Sequence, residues 1–316
     1  MQNDKSIQSV QAHECLSACI GNMMACKYPT ISGNEIVIAG EGLRVKYNTD
    51  TKVFVSPMYR SNFRFFEKYG ITYQHEKLDA CQNPKAFIQD ALEAGKYLFA
   101  RLDARKLTYD RVFRQVEHAS HFVNVTGTSE DTFSVCDGYV PSKVAATFMG
   151  EISREELLAA WKEMEFEYIL FDSVPDLDEN AFYREMWEEL KNSIQIYRQG
   201  GRDDKYCYGK DAITELFREL DYLNRDRVFE VNYQLKIFGF LSLKQIVCEI
   251  LKKIPDTKEI LEEYYQILAD WEKVCTLMIK IGLSGRKEQY ATLMERMYHC
   301  VELEDRVLEK ILYLQV

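Results

Sequence analysis

Three side chains far apart in the sequence could together carry acyl transfer: Cys15, His121 and Asp137. Cys15 stands in His13-Glu14-Cys15-Leu16-Ser17-Ala18-Cys19-Ile20-Gly21-Asn22-Met23-Met24, where Leu16, Cys19, Ile20 and Met23 form the apolar stripe of a buried helix. A cysteine at the first turn meets free backbone N–H groups and the positive end of the helix dipole. Both are expected to favour thiolate over thiol, and the same N–H groups can help bind an oxyanion on an acyl carbonyl. Alone, a cysteine there reads more readily as a small buried residue at a helix entry. Its chemistry depends on partners elsewhere.

The partners come from Ser120 to Asp137, two alternating apolar runs around a polar Gly-Thr-Ser-Glu-Asp turn, which predicts a β-hairpin. A register symmetric about Ser129 sets Val125 opposite Phe133, Val123 opposite Val135 and His121 directly opposite Asp137. A carboxylate there can accept the imidazole N–H, fix the tautomer and stabilise the imidazolium formed when histidine takes a proton from the thiol. His118 is the competing base, expected to lie before the strand. His13, Cys15, Cys19 and Cys26 could instead be zinc ligands, but the chain has no Cys-x-x-Cys pair, and no metal is expected.

The elements that must position these residues change character near residue 172. Before it, Leu98 to Leu102, His121 to Thr126, Thr132 to Asp137 and Tyr168 to Phe171 read as strands. Cys15 to Lys27, Asn83 to Gly95 and Ser153 to Met164 read as helices, the last opened by the capping-box pattern Ser153-Arg154-Glu155-Glu156. After Pro175 helical periodicity dominates, in Asn180–Arg198, Lys210–Leu223, Ile260–Ile281 and Arg286–Leu314, with breaks at Gly200-Gly201, Pro255-Asp256 and Gly282 to Gly285. The expectation is an α+β catalytic domain over 1–174 and a mainly helical bundle or lid over 175–316. Cys207, Cys248, Cys275 and Cys300 read as core, and the C-terminal tyrosines such as Tyr264, Tyr265, Tyr290 and Tyr298 as packing residues.

Composition narrows the class. The 316 residues are 47% hydrophobic and 28% charged, as in a folded soluble protein. A net charge of −10 counts against nucleic-acid binding, which draws on a basic surface. No apolar run approaches the roughly 20 residues that span a bilayer, and Met1 to Lys5 lacks the pattern of a signal peptide. The expected location is the cytoplasm, with the nine cysteines reduced.

The order of these residues resembles papain-like cysteine proteases and the bacteriocin-leader peptidases, with a cysteine opening an N-terminal helix, a histidine starting a strand and an acid on the next. It resembles more closely the N-terminal domain of butirosin biosynthesis protein H. The likeness is carried by His-Glu-Cys15 with Asn22, Glu35 to Gly42, Ala119 to Val123, the hairpin ending in Asp137, and Ile152-Ser153 through Ala160-Trp161. It implies a papain-like fold and a transacylase or amide synthetase of natural-product assembly. Such enzymes take an acyl group from a carrier-protein phosphopantetheine thioester and pass it to a small amine, so no cofactor need reside in the enzyme. Papain-like enzymes also place a glutamine in the oxyanion hole, for which Gln8 and Gln11 are the candidates here, although neither spacing matches well. A cysteine peptidase or thioesterase would use the same triad, and an inactive carrier-binding scaffold is the alternative from another class.

An acidic carrier needs a local basic surface. Arg101 to Arg114 holds Arg101, Arg105, Lys106, Arg111 and Arg114 against Asp103 and Asp110, so Arg105, Lys106 and Arg111 are the docking candidates. Arg60, Arg64 and Lys68, spaced along one helical face, form a second set. The oligomeric state is left open.

Overall fold

Helix α1 spans Cys15–Met24, α2 Gly33–Ala39, and strands β1 and β2 cover Lys46–Asn48 and Val53–Val55. Then come α3 (Met58–Lys68), β3 (Gln74–Lys77), α4 (Pro84–Glu93), β4 (Tyr97–Asp103), β5 (Ser120–Thr128), β6 (Thr132–Asp137), β7 (Phe148–Ser153), α5 (Arg154–Lys162) and β8 (Glu167–Phe171). The rest is α6 (Glu179–Gln199), β9 (Tyr206–Tyr208), α7 (Gly209–Arg218), α8 (Arg225–Lys236), α9 (Phe240–Leu251), α10 (Lys258–Ser284) and α11 (Glu288–Leu312). This is a computed structural model, and it describes residues 7–113, 120–140, 147–221, 224–236, 239–286 and 288–314. His118 falls outside the described residues. The chain is α+β and divides into two compact units, residues 1–36 with 62–179 and residues 37–61 with 180–316.

The first unit is built on an antiparallel sheet ordered β3-β8-β4-β5-β6-β7. Strand alternation sends Leu98, Ala100, Leu102, Val123, Val125, Phe133 and Val135 to one face, where Ile88 and Ala91 of α4 and Leu157, Ala160 and Trp161 of α5 bury them. Phe99, Phe122, Asn124 and Cys136 take the opposite parity and are also buried, with α1 packed on β5 and β6. Helix α1 is buried as expected, and its burial extends beyond the expected stripe to every residue from Leu16 through Met24. Such an enclosed helix is mostly apolar, with Ser17 and Asn22 as its buried polar residues, and its glycine allows the fit: a Cβ on Gly21 would lie 2.5 Å from the Gly33 nitrogen.

The hairpin forms, but not in the symmetric register. Thr128 pairs with Phe133 and Gly127 with Ser134; the register then shifts, and Val125 pairs with Val135 and Asn124 with Cys136. The first two pairs differ from the symmetric register by an odd number, which alone would send His121 to the other face. The extra residue, Thr126, forms a bulge that restores the parity. His121 and Asp137 thus share a face as diagonal neighbours and not as an opposed pair.

The capping box before α5 is half made. Ser153 accepts the Glu156 N–H at 3.1 Å, while the Glu156 carboxylate turns to Thr108, taking its N–H at 2.6 Å and its hydroxyl at 3.0 Å.

In the second unit β1 pairs antiparallel with both β2 and β9, and Tyr47 donates to Glu219 at 2.9 Å. This pairing draws residues 37–61 out of the domain that a boundary at 174/175 assigns them to, and it places a strand after Pro175. The helices bury one face each, as Phe182, Met186, Leu190, Ile194 and Tyr197 do on α6. The exception is α9, where ten of twelve residues are buried. In the core of this unit the Glu304 carboxylate of α11 accepts from Tyr197 at 3.0 Å, from Tyr264 and the Trp271 indole at 3.3 Å, and from the buried Lys244 ammonium of α9. Lys244 also lies 3.8 Å over the Phe240 ring. Burial holds its pKa below the ordinary lysine value against the opposing pull of Glu304. Among the described residues no helix is long and apolar enough to cross a membrane.

Candidate active site

Two buried amides hold the start of the site in place. Asn22 of α1 accepts the Val10 N–H at 2.7 Å and donates to Asn124 of β5 at 2.9 Å; Asn124 in turn donates to the Cys19 carbonyl at 3.0 Å. Both side chains are fully buried, so the relay satisfies polar groups in the core and pins α1 to the strand that carries His121. The segment ahead of α1 is tied to the end of β6 by Ala12 N–H to Gly138 O at 3.0 Å and Ser9 to Asp137 O at 3.3 Å.

His121 Nε2 lies 2.7 Å from Asp137 Oδ2, with the two side chains 3% and 0% exposed. The carboxylate accepts, which makes Nε2 the donor and leaves the Nδ1 lone pair as the basic site. Asp137 is itself held: Tyr109 donates to Oδ2 at 2.7 Å and the Tyr139 N–H to Oδ1 at 2.9 Å. Tyr109 is set by stacking on Phe148, ring centroids 4.1 Å apart, and by the Glu156 clasp on Thr108 beside it. Phe113 covers the imidazole at 4.7 Å.

Cys15 is half-buried at the first residue of α1. Its thiol senses the Phe122 N–H, which lowers its pKa, and the Asp137 charge, which raises it. Cys15 and the His121–Asp137 pair therefore belong to one neighbourhood. The expected activation by the helix terminus is not found. Glu14 caps α1, accepting Leu16 N–H at 3.1 Å and Ser17 N–H at 2.7 Å, and also accepts the Cys15 thiol at 3.6 Å and Asn62 Nδ2 at 2.9 Å. A carboxylate thus occupies the donors that would have served a thiolate or an oxyanion. Burial first, and Glu14 next, push the Cys15 thiol well above the ordinary cysteine range.

The other candidates disperse. Gln8 and Gln11 are both exposed, on the segment that runs to α1. Arg105 pairs with Asp103 at 2.6 Å, Lys106 with Glu163 at 3.1 Å and Arg101 with Glu167 at 2.7 Å, so the stretch is less basic than its cation count. Arg111 is exposed, as are Arg60, Arg64 and Lys68 of α3. Among the described residues no group of three or more His, Cys, Asp and Glu side chains could hold a metal ion, and all nine cysteines are free thiols.

Sequence reasoning passed over Glu14, Asn62, Tyr109 and Asn124. Asn124 carried a usable signal, a polar residue in the apolar run Phe122-Val123-Asn124-Val125. Glu14 carried none, since glutamate is not a favoured N-cap.

Fold and site together describe an α+β domain with a cysteine at a helix entry and a buried strand-borne His–Asp pair. Residues 14–138 match the family model for butirosin biosynthesis protein H, N-terminal. The matched segment is somewhat under half the chain and contains Cys15, His121 and Asp137, and it bears out the resemblance drawn from the ordered residues. No curated protein matches the chain.

Proposed function

We propose that this chain is a cysteine-dependent acyltransferase of antibiotic or related natural-product assembly, with a papain-like catalytic unit that forms amides from carrier-bound acyl thioesters. The observation that carries the reading is the buried 2.7 Å pair of His121 on β5 and Asp137 on β6, next to Phe122, whose N–H acts on the Cys15 thiol. The match to the butirosin biosynthesis protein H N-terminal model supports it.

In this reading Cys15 sulfur attacks the thioester carbonyl as its proton passes to His121 Nδ1. The tetrahedral intermediate collapses, and the carrier's phosphopantetheine thiol leaves with that proton. The acyl-Cys15 carbonyl is then attacked by an amine, His121 takes the amine proton, and the Cys15 thiol leaves and is reprotonated from His121. Asp137 keeps Nε2 protonated and supports the imidazolium in both steps.

Intact-protein mass spectrometry with a carrier-bound acyl thioester tests this. The wild type should gain one acyl group and lose it to an added amine as the amide, while Cys15→Ala should gain none. An adduct on Cys15→Ala would remove Cys15 from the mechanism, and release as free acid regardless of amine would make the chain a thioesterase or peptidase. Arg111→Glu should slow loading from the carrier and leave loading from a small N-acetylcysteamine thioester unchanged; equal effects would exclude Arg111 from docking.

A further inference from the structure

Glu14 binds four donors from two helices, α1 and α3: the N–H groups of Leu16 and Ser17, the Cys15 thiol and Asn62 Nδ2. A helix cap needs only the first two. Asn62, fully buried on α3, fixes the carboxylate from a separate element, and the thiol contact turns it toward the sulfur. A negative charge held against sulfur opposes a second negative charge on that sulfur. We propose that Glu14 is a positioning residue that holds Cys15 as a neutral thiol until an acyl donor is bound, shielding it from small electrophiles. The proposal rests on the reading of Cys15 as the nucleophile.

The other groups acting on this sulfur are Asp137 of β6, whose charge works in the same direction, Cys19 one turn along α1, which is electrostatically coupled to it, and the Phe122 N–H of β5, which opposes them. His121 stands beside Phe122 on the same strand and Tyr109 donates to Asp137. Of these, Glu14 is the carboxylate hydrogen-bonded to the thiol, so neutralising it should act on Cys15 while leaving the His121–Asp137 pair intact.

The test is iodoacetamide alkylation read by peptide mass spectrometry from about pH 6 to about pH 10, with exposed Cys81 as the internal standard. In the wild type Cys15 should react only at higher pH than Cys81. Glu14→Gln, and Glu14→Ser, which retains an N-cap oxygen, should both move the Cys15 profile down by about one pH unit. That is a roughly tenfold faster reaction at neutral pH. The Cys81 profile should not move. Unchanged Cys15 profiles in both variants, or a wild-type Cys15 as reactive as Cys81, would overturn the proposal and leave Glu14 as a cap. Alkylation does not require acyl transfer. A shifted profile in a protein that never loads an acyl group would therefore sink the proposed function and leave the role of Glu14 standing.

Discussion

Asp137→Asn is the sharpest probe of the site, because the three donors around Asp137 leave an amide no good orientation. Oδ2 accepts His121 Nε2–H and the Tyr109 hydroxyl, both at 2.7 Å, and Oδ1 accepts the Tyr139 N–H at 2.9 Å. With the amide oxygen toward His121, the NH2 group meets the Tyr139 N–H, and one buried donor goes unsatisfied at about 1–3 kcal/mol of stability. With the amide reversed, NH2 faces Nε2 and selects the Nδ1–H tautomer, which has no lone pair for the thiol proton. Either way the imidazolium loses a charge-assisted hydrogen bond, worth about 1.5–3 kcal/mol, or roughly 10- to 150-fold in rate if expressed wholly in the transition state. Rapid-quench mass spectrometry of acyl-Cys15 formation measures this directly. Tyr109→Phe is the control: it removes one donor, keeps the ring that stacks on Phe148 at 4.1 Å and should slow loading less than about tenfold. Wild-type loading by Asp137→Asn would refute the argument. A Tyr109→Phe defect of equal size would mean that carboxylate orientation, and not its charge, is what matters.

Gly138→Ala should damage the site through packing, since its Cβ would lie 2.4 Å from the Val10 carbonyl oxygen and 2.9 Å from the Ala18 Cβ. Overpacking of this kind costs about 1–3 kcal/mol, so thermal unfolding should move down and acyl loading should fall with it; an unchanged melting temperature would contradict the close approach. In the second unit, Lys244→Met should destabilise by about 3 kcal/mol in urea unfolding, because three other donors remain on Glu304. Glu304→Leu should cost more, up to about 5 kcal/mol, because it leaves a buried ammonium with only ring faces. The reverse order would show that the carboxylate, not the ammonium, dominates the desolvation cost.

The sheet of the first unit was readable where its strands are buried. The alternating or continuous apolar runs at Leu98, His121, Thr132 and Tyr168 are all strands. The unread strands lack that signal: β3 is Gln-His-Glu-Lys, exposed throughout at one sheet edge, and β7 at the other edge has one buried residue in six, while β1, β2 and β9 have three residues each, too short for a period to register. The same shortness hid the link between residues 46–55 and 206–208, a long-range pairing that no local pattern encodes. Helices α8 and α9 were missed for opposite reasons. The first is strongly polar, and the second is apolar on nearly every side, so neither shows a single clean stripe.

The site was legible to the extent that chemistry demands particular residue types, and illegible where ordinary residues are placed by distant contacts. Cysteine, histidine and aspartate could be picked out and set on a helix and a hairpin from spacing alone. The bulge at Thr126 could not, yet together with the offset turn it moves the pairing from opposed to diagonal while keeping both side chains on one face. The larger departure concerns the thiol. A helix N-terminus stabilises a thiolate only if its N–H groups are free, and whether they are free is decided by the residue just before the cysteine. Glutamate there has a side chain long enough to fold back onto the first turn, and Asn62, far along the chain, holds it in place. The dipole expected to favour a Cys15 thiolate is engaged by Glu14 instead, so in the proposed mechanism the thiol proton has to pass to His121 and not to the solvent.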